Sequence, residues 1–83
     1  MNPEIWDQLK NITADEIINA LQKDGWELRS SGGGSSRRIY IKNKKLVSIH
    51  YHPHKEYGRG MLRDLLRDVE WTEQDLKRLK LIK

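Results

Sequence analysis

The 83-residue chain has no cysteine. That excludes a disulfide framework, a thiolate nucleophile and a thiolate metal site, and it leaves packing to supply the stability, as in a reducing compartment. Long apolar runs are missing too. Glu4, Asp7, Asp15 and Glu16 break up the first twenty residues, and no stretch approaches the roughly 18 apolar residues of a membrane span. A soluble, cytoplasmic protein with no membrane contact is expected. The hydrophobic share is low, at 36%, yet ten Leu, eight Ile and two Val make 20 of 83 residues, above the roughly 20% below which disorder is the better reading. One small domain spanning 1–83 is expected. The absence with most content is local: from Leu28 to Lys55 there is no carboxylate. That stretch holds all three histidines and seven basic residues, Arg29, Arg37, Arg38, Lys42, Lys44, Lys45 and Lys55. It therefore carries +7, while nine basic and twelve acidic residues elsewhere sum to −3, giving the bland whole-chain value of +4.

The elements follow from capping and period. Asn2-Pro3 starts a short helix with Ile5, Trp6 and Leu9 on one side. Thr13 with Glu16 reads as a capping box, and Ala14, Ile17, Ile18 and Leu21 predict a helix over 14–23, stopped by Asp24-Gly25. The period then changes to two. Strands are expected from Trp26 to Arg29, from Arg37 to Lys42 and from Leu46 to His52, with Asn43-Lys44 as a tight turn. Trp26, Leu28, Ile39, Ile41, Val47, Ile49 and Tyr51 are assigned to the buried face. The opposite parity collects Arg29, Arg38, Tyr40, Lys42, Ser48, His50 and His52. Beyond Pro53 and the loop 54–59, Met61, Leu62, Leu65, Leu66 and Val69 predict a helix laid on the sheet, and Thr72 opens a last short one with Leu76 and Leu79. The fold class is α+β: αβββα with a three-stranded antiparallel sheet and short extra helices at both termini. Trp26 reads as core, and Trp6 and Trp71 as lids.

A face of arginine, lysine, tyrosine and histidine without acids suits RNA, because cations neutralise phosphates and an exposed tyrosine stacks on an unpaired base. Arg29, Ser36, Arg37, Arg38, Tyr40, Lys42 and Lys55 are the candidate RNA contacts. His50 and His52 lie two apart on one strand, so they share a face, and His54 follows. Imidazoles titrate near neutral pH and can move the proton of a ribose 2′-hydroxyl, with arginine steadying the charge on phosphorus in place of a metal. His50 and His52 are the candidate catalytic residues, and no cofactor or metal is expected. The Ser31–Ser36 connector lacks the lysine and following helix of a P-loop and reads as a hairpin tip.

Asp24-Gly25-Trp26 after the first main helix, a Gly/Ser turn into Arg38-Ile39-Tyr40, Val47-Ser48-Ile49-His50-Tyr51-His52, and Gly60-Met61-Leu62-Arg63-Asp64-Leu65-Leu66 together resemble the HicA family of toxins. The resemblance spans about Ile12 to Leu76. It implies a fold like that of double-stranded-RNA-binding domains, a ribosome-independent mRNA interferase activity and neutralisation by a HicB-type antitoxin. The family's catalytic histidine at the entry to the second strand has no counterpart: that slot is Arg37 counted back from Ile39-Tyr40, or Ser36 counted forward from Gly34-Ser35. The family's second histidine falls on His52, with Lys55-Glu56 following. The alternative from another class is a non-catalytic RNA-binding or protein-interaction module descended from that family.

Overall fold

The computed structural model describes residues 3–30, 37–51 and 56–83. Four helices and three strands run in the order α1 (Pro3–Leu9), α2 (Ala14–Lys23), β1 (Glu27–Ser30), β2 (Arg37–Lys42), β3 (Lys45–His50), α3 (Arg59–Val69) and α4 (Glu73–Arg78). The strands form one antiparallel sheet in the order β1-β2-β3. This is the αβββα arrangement with short terminal helices that the sequence leads one to expect. No helix among the described residues is long and apolar enough to cross a membrane.

The helix boundaries have local causes. Thr13 Oγ1 accepts from the Glu16 amide while Glu16 accepts from the Thr13 amide, so two otherwise unpaired donors at the start of α2 are satisfied at once. Thr72 and Asp75 repeat that device at α4. Gly25 sits at φ 92, in the left-handed region that a glycine enters at little cost, and lets the chain turn from α2 into β1. α2 buries Ala14, Ile17, Ile18, Ala20 and Leu21, and α3 buries Leu62, Leu65, Leu66 and Val69. Both stripes join Trp26, Tyr40, Val47 and Ile49 of the sheet region in one core, which α1 extends with Ile5 and Leu9, and α4 with Leu76 and its C-terminal flank Leu79. Met61, expected in the α3 stripe, is instead exposed.

The faces of the sheet differ from the expectation. Tyr40 is only 1% exposed and belongs to the core, whereas Ile39 and Ile41 are half-buried on the open side. The turn explains this. Asn43 and Lys44 both have positive φ, 50° and 69°, the signature of a two-residue type I′ hairpin, and such a loop pairs Lys42 with Lys45. Counting outward, Tyr40 lies opposite Val47 and Arg38 opposite Ile49. Residues directly opposite share a face, so Arg38, Tyr40 and Lys42 go to the helix side with Val47 and Ile49. Ile39, Ile41, Leu46, Ser48, Arg37 and His50 remain on the open side. A tight turn at Asn43-Lys44 and a buried Ile39-Ile41 face are therefore incompatible, and the turn prevails. Leu28, opposite Tyr40 on the edge strand β1, was expected in the core but is 50% exposed. β3 spans Lys45–His50 and Tyr51 lies beyond it, while His52, the expected end of the strand, is outside the described residues.

Candidate nucleic-acid interface

β2 begins, β3 ends, and α2 and α3 both start at one end of the sheet, which brings separate stretches of sequence together there. Arg37 is the register partner of His50, both exposed on the open face. Behind them, on the helix side, the Arg38 guanidinium lies 4.0 Å from the centre of the Tyr51 ring. The Tyr51 hydroxyl hydrogen-bonds Asp15 in the first turn of α2, and that bond raises its pKa above the ordinary 10.0. The Thr13–Glu56 bridge ties the start of α2 to the segment leading into α3. The buried Tyr57 ring carries a hydroxyl whose pKa is raised by burial, and its oxygen accepts from the His50 backbone. α3 itself opens at Gly58 with no side-chain cap and no acid in its first turn, so the positive end of its dipole adds to the arginines.

The sequence-derived contacts separate into groups. Arg37, Arg38 and His50 meet at this end. Arg29 is exposed on the edge strand, beside an irregularity in the β1–β2 register. Ser36, Lys55 and His52, with the whole Ser31–Ser36 connector and His54, lie outside the described residues. Tyr40 has to be corrected: a ring 1% exposed beneath two helices has no free face for a base. Lys42 is corrected as well. Its Nζ donates to the Asp24 carbonyl at 2.5 Å and lies 3.3 Å from the Asp24 carboxylate, at the other end of the sheet.

Asp24 is the centre of that other end. Its Oδ2 accepts from the indole N–H of Trp71 at 2.8 Å and of Trp26 at 3.1 Å, and its Oδ1 accepts from Arg78 at 2.6 Å. Burial alone would raise its pKa, but the donors of Trp71, Arg78, Lys42 and Trp26 outweigh burial and hold the carboxyl at about 2, below its ordinary 3.8. Lys45 pairs with Glu70 across the same cleft, a hollow of about 400 Å³. Its charged groups already satisfy one another, so the cleft clamps α2, the hairpin and α4 rather than awaiting a ligand. The sequence marks Asp24 as part of a helix stop and of the Asp24-Gly25-Trp26 motif, but not as a charge centre, since its partners Trp71 and Arg78 are 47 and 54 residues away.

Among the described residues no three His, Asp or Glu side chains gather as metal ligands. The chemistry on offer at the Arg37–His50 end is that of guanidinium and imidazole: anion binding and proton transfer. A family model described as the HicA toxin of bacterial toxin–antitoxin matches residues 14–71, from the start of α2 to Trp71. The chain belongs to the HicA toxin family. No curated protein and no solved structure matches it. The HicA match takes in the sheet, both long helices and the Arg37–His50 pair, and leaves α1 and α4 outside it. As a HicA toxin, the chain has an antitoxin as its partner.

Proposed function

We propose that this HicA toxin binds mRNA at the Arg37–His50 end of the sheet and cleaves it by acid–base chemistry, and that a HicB-type antitoxin neutralises it. The observation that carries the reading is the register of β2 and β3, which sets Arg37 directly opposite His50 with Arg38 next in the chain. Arg37 holds the phosphate on the open face, and Arg38, on the helix side of the same end, adds its positive charge from behind. One imidazole of the pair His50 and His52 takes the proton of the 2′-hydroxyl, whose oxygen bonds to phosphorus. The bond from phosphorus to the 5′-oxygen breaks, and that oxygen collects a proton from the other imidazole. The products are a 2′,3′-cyclic phosphate and a 5′-hydroxyl. Guanidinium groups offset the charge that builds on the phosphoryl oxygens, so the step needs no metal. The apolar middle of the open face, Ile39, Ile41 and Leu46, has no phosphate-binding group, which confines the RNA to this end.

One feature favours a second reading. Arginine stands in the slot where the resemblance puts the family's catalytic histidine, and an arginine binds phosphate without serving as a base at neutral pH. In that reading the chain binds RNA and does not cut it. Incubation with single-stranded RNA in a metal chelator separates the two. The first reading has the wild type produce cyclic-phosphate ends, with His50→Ala and His52→Ala each slowing cleavage by about 100-fold or more. Binding without cleavage by the wild type, with cleavage gained by Arg37→His, would establish the second. Equal cleavage by the wild type and both alanine variants would overturn the catalytic assignment.

A further inference from the structure

α1 lies outside the residues that the HicA model matches, yet it forms one wall of a hollow against α3. The hollow measures about 230 Å³, and Trp6, Lys10, Tyr57, Arg59 and Leu62 are among its walls, with Asp7 the single carboxylate among the described residues that line it. Trp26 and Trp71 are 4% and 6% exposed and belong to the core, but Trp6 is only half-buried. The Arg59 guanidinium lies over the Trp6 ring, 5.0 Å from its centre. Arg63 follows four residues on, hence on the same side of α3, and borders a shallower extension of the hollow with Trp6, Arg59 and Gly60. Among the described residues, its own chain neighbours and helix backbone aside, nothing lies within 4 Å of where a Gly60 side chain would begin, so the floor between the two arginines is open. Neither arginine has a carboxylate partner among the described residues, unlike Arg67, which pairs with Asp64 on the same helix.

A supported guanidinium, a free one beside it and a hollow smaller than the roughly 300–1,000 Å³ of drug-sized sites suit one planar group attached to an anion. That is the chemistry of a nucleotide. Tyr57 joins this hollow to the candidate interface, since its ring lines the hollow while its hydroxyl meets the His50 backbone. We infer that Trp6, Arg59 and Arg63 form a second RNA contact, where a nucleotide flanking the reacting phosphate stacks its base on the Trp6–Arg59 pair and sets its phosphate on Arg63. This rests on the RNA reading above. Arginine planes and aromatic rings are the usual platforms for unpaired bases, and stacking of this kind is tolerant of sequence.

Anisotropy titrations of the full chain with a fluorescein-labelled single-stranded RNA 12-mer, over a series of salt concentrations, test it. Trp6→Leu weakens binding about tenfold, while Trp6→Phe keeps the platform and stays within about threefold of wild type. Arg63→Gln, an exposed change that leaves the core alone, weakens binding about fivefold and lowers the salt slope by about 0.7, the contribution of one single-stranded phosphate. Wild-type binding with both Trp6→Leu and Arg63→Gln unchanged within twofold overturns the second contact and leaves the RNA reading standing. No binding by the wild type overturns the RNA reading and this contact with it. Equal competition by polyglutamate at matched charge would mark the hollow as a site for acidic protein and overturn the nucleotide assignment.

Discussion

The two ends of the sheet treat positive charge in opposite ways. At the hairpin end, Lys42 and Arg78 both converge on Asp24, and Lys45 meets Glu70. At the other end, Arg38 lies over Tyr51 and Arg59 over Trp6, with no carboxylate ion pair to either among the described residues. A guanidinium on a ring keeps its N–H edges open, whereas one locked to a carboxylate has spent them. The positive charge concentrated between Leu28 and Lys55 is therefore divided by the fold: Lys42 and Lys45 pair with carboxylates, and Arg38, among the described residues, does not. The sum of +7 over residues 28–55 overstates the charge left for the proposed RNA, and in that proposal Arg59 and Arg63, outside the stretch, partly restore it.

Mutations at each end should separate stability from binding. The largest effect is expected at Asp24. Asp24→Ala strands two indole N–H groups and two cations in a largely buried site, and is expected to cost about 3 kcal/mol in urea unfolding, while the folded fraction binds RNA as before. Acid acts on the same carboxylate. Its folded pKa of about 2 lies below the ordinary 3.8, so its contribution is complete above pH 4 and is lost as pH falls toward 2. That contribution is about 2 kcal/mol, and a comparison of wild type with Asp24→Asn by denaturation at pH 5 and pH 2.5 should show the acid-dependent part disappear in the variant. At the opposite end the expectation reverses: Arg38→Gln weakens RNA binding about tenfold with little change in stability, checked by titration beside a melting curve. The smallest effect belongs to Lys45→Gln. An exposed pair such as Lys45–Glu70 contributes within about 0.5 kcal/mol, and RNA affinity should stay within twofold, because this lysine faces a carboxylate and not the proposed path of the RNA. A tenfold loss of binding in Lys45→Gln would break the division between the ends.

How much of this could be read in advance depended on the range of the signal. The Thr13–Glu16 capping box, Thr72, Gly25 and the 3.6-residue stripes act within a few positions, and they located α2, α3 and α4 closely. The strands were visible as a change of period. The faces of β2 were harder because Ile39 and Ile41 make the odd parity the greasier one, and burial arguments applied to one strand favour it. The pairing is decided by the turn, whose two residues fix the register for both strands, and Asn43-Lys44 was in view all along. Site residues fared by the same rule. The Arg37–His50 pair follows from that register, and Arg38 changes face with Tyr40 for that reason. Asp24 with Trp71, and Trp6 with Arg59, are pairs separated by about fifty positions that no local pattern links. Trp6 was therefore read as a lid with no further role.

The left-handed pair at Asn43-Lys44 gives the hairpin a use for its ambiguity. β2 is written so that either side can meet a core: two isoleucines on one, a tyrosine between long cations on the other. One residue inserted at the tip, with the two-residue turn retained and β3 kept in place, would slide the pairing by one, carry Arg38 to the open face and withdraw Arg37 from it. Every side chain of the strand would be kept, and the groups presented to a phosphate would be exchanged. In this scaffold an insertion of one residue, far from the reacting end, redraws that end as thoroughly as several substitutions made within it.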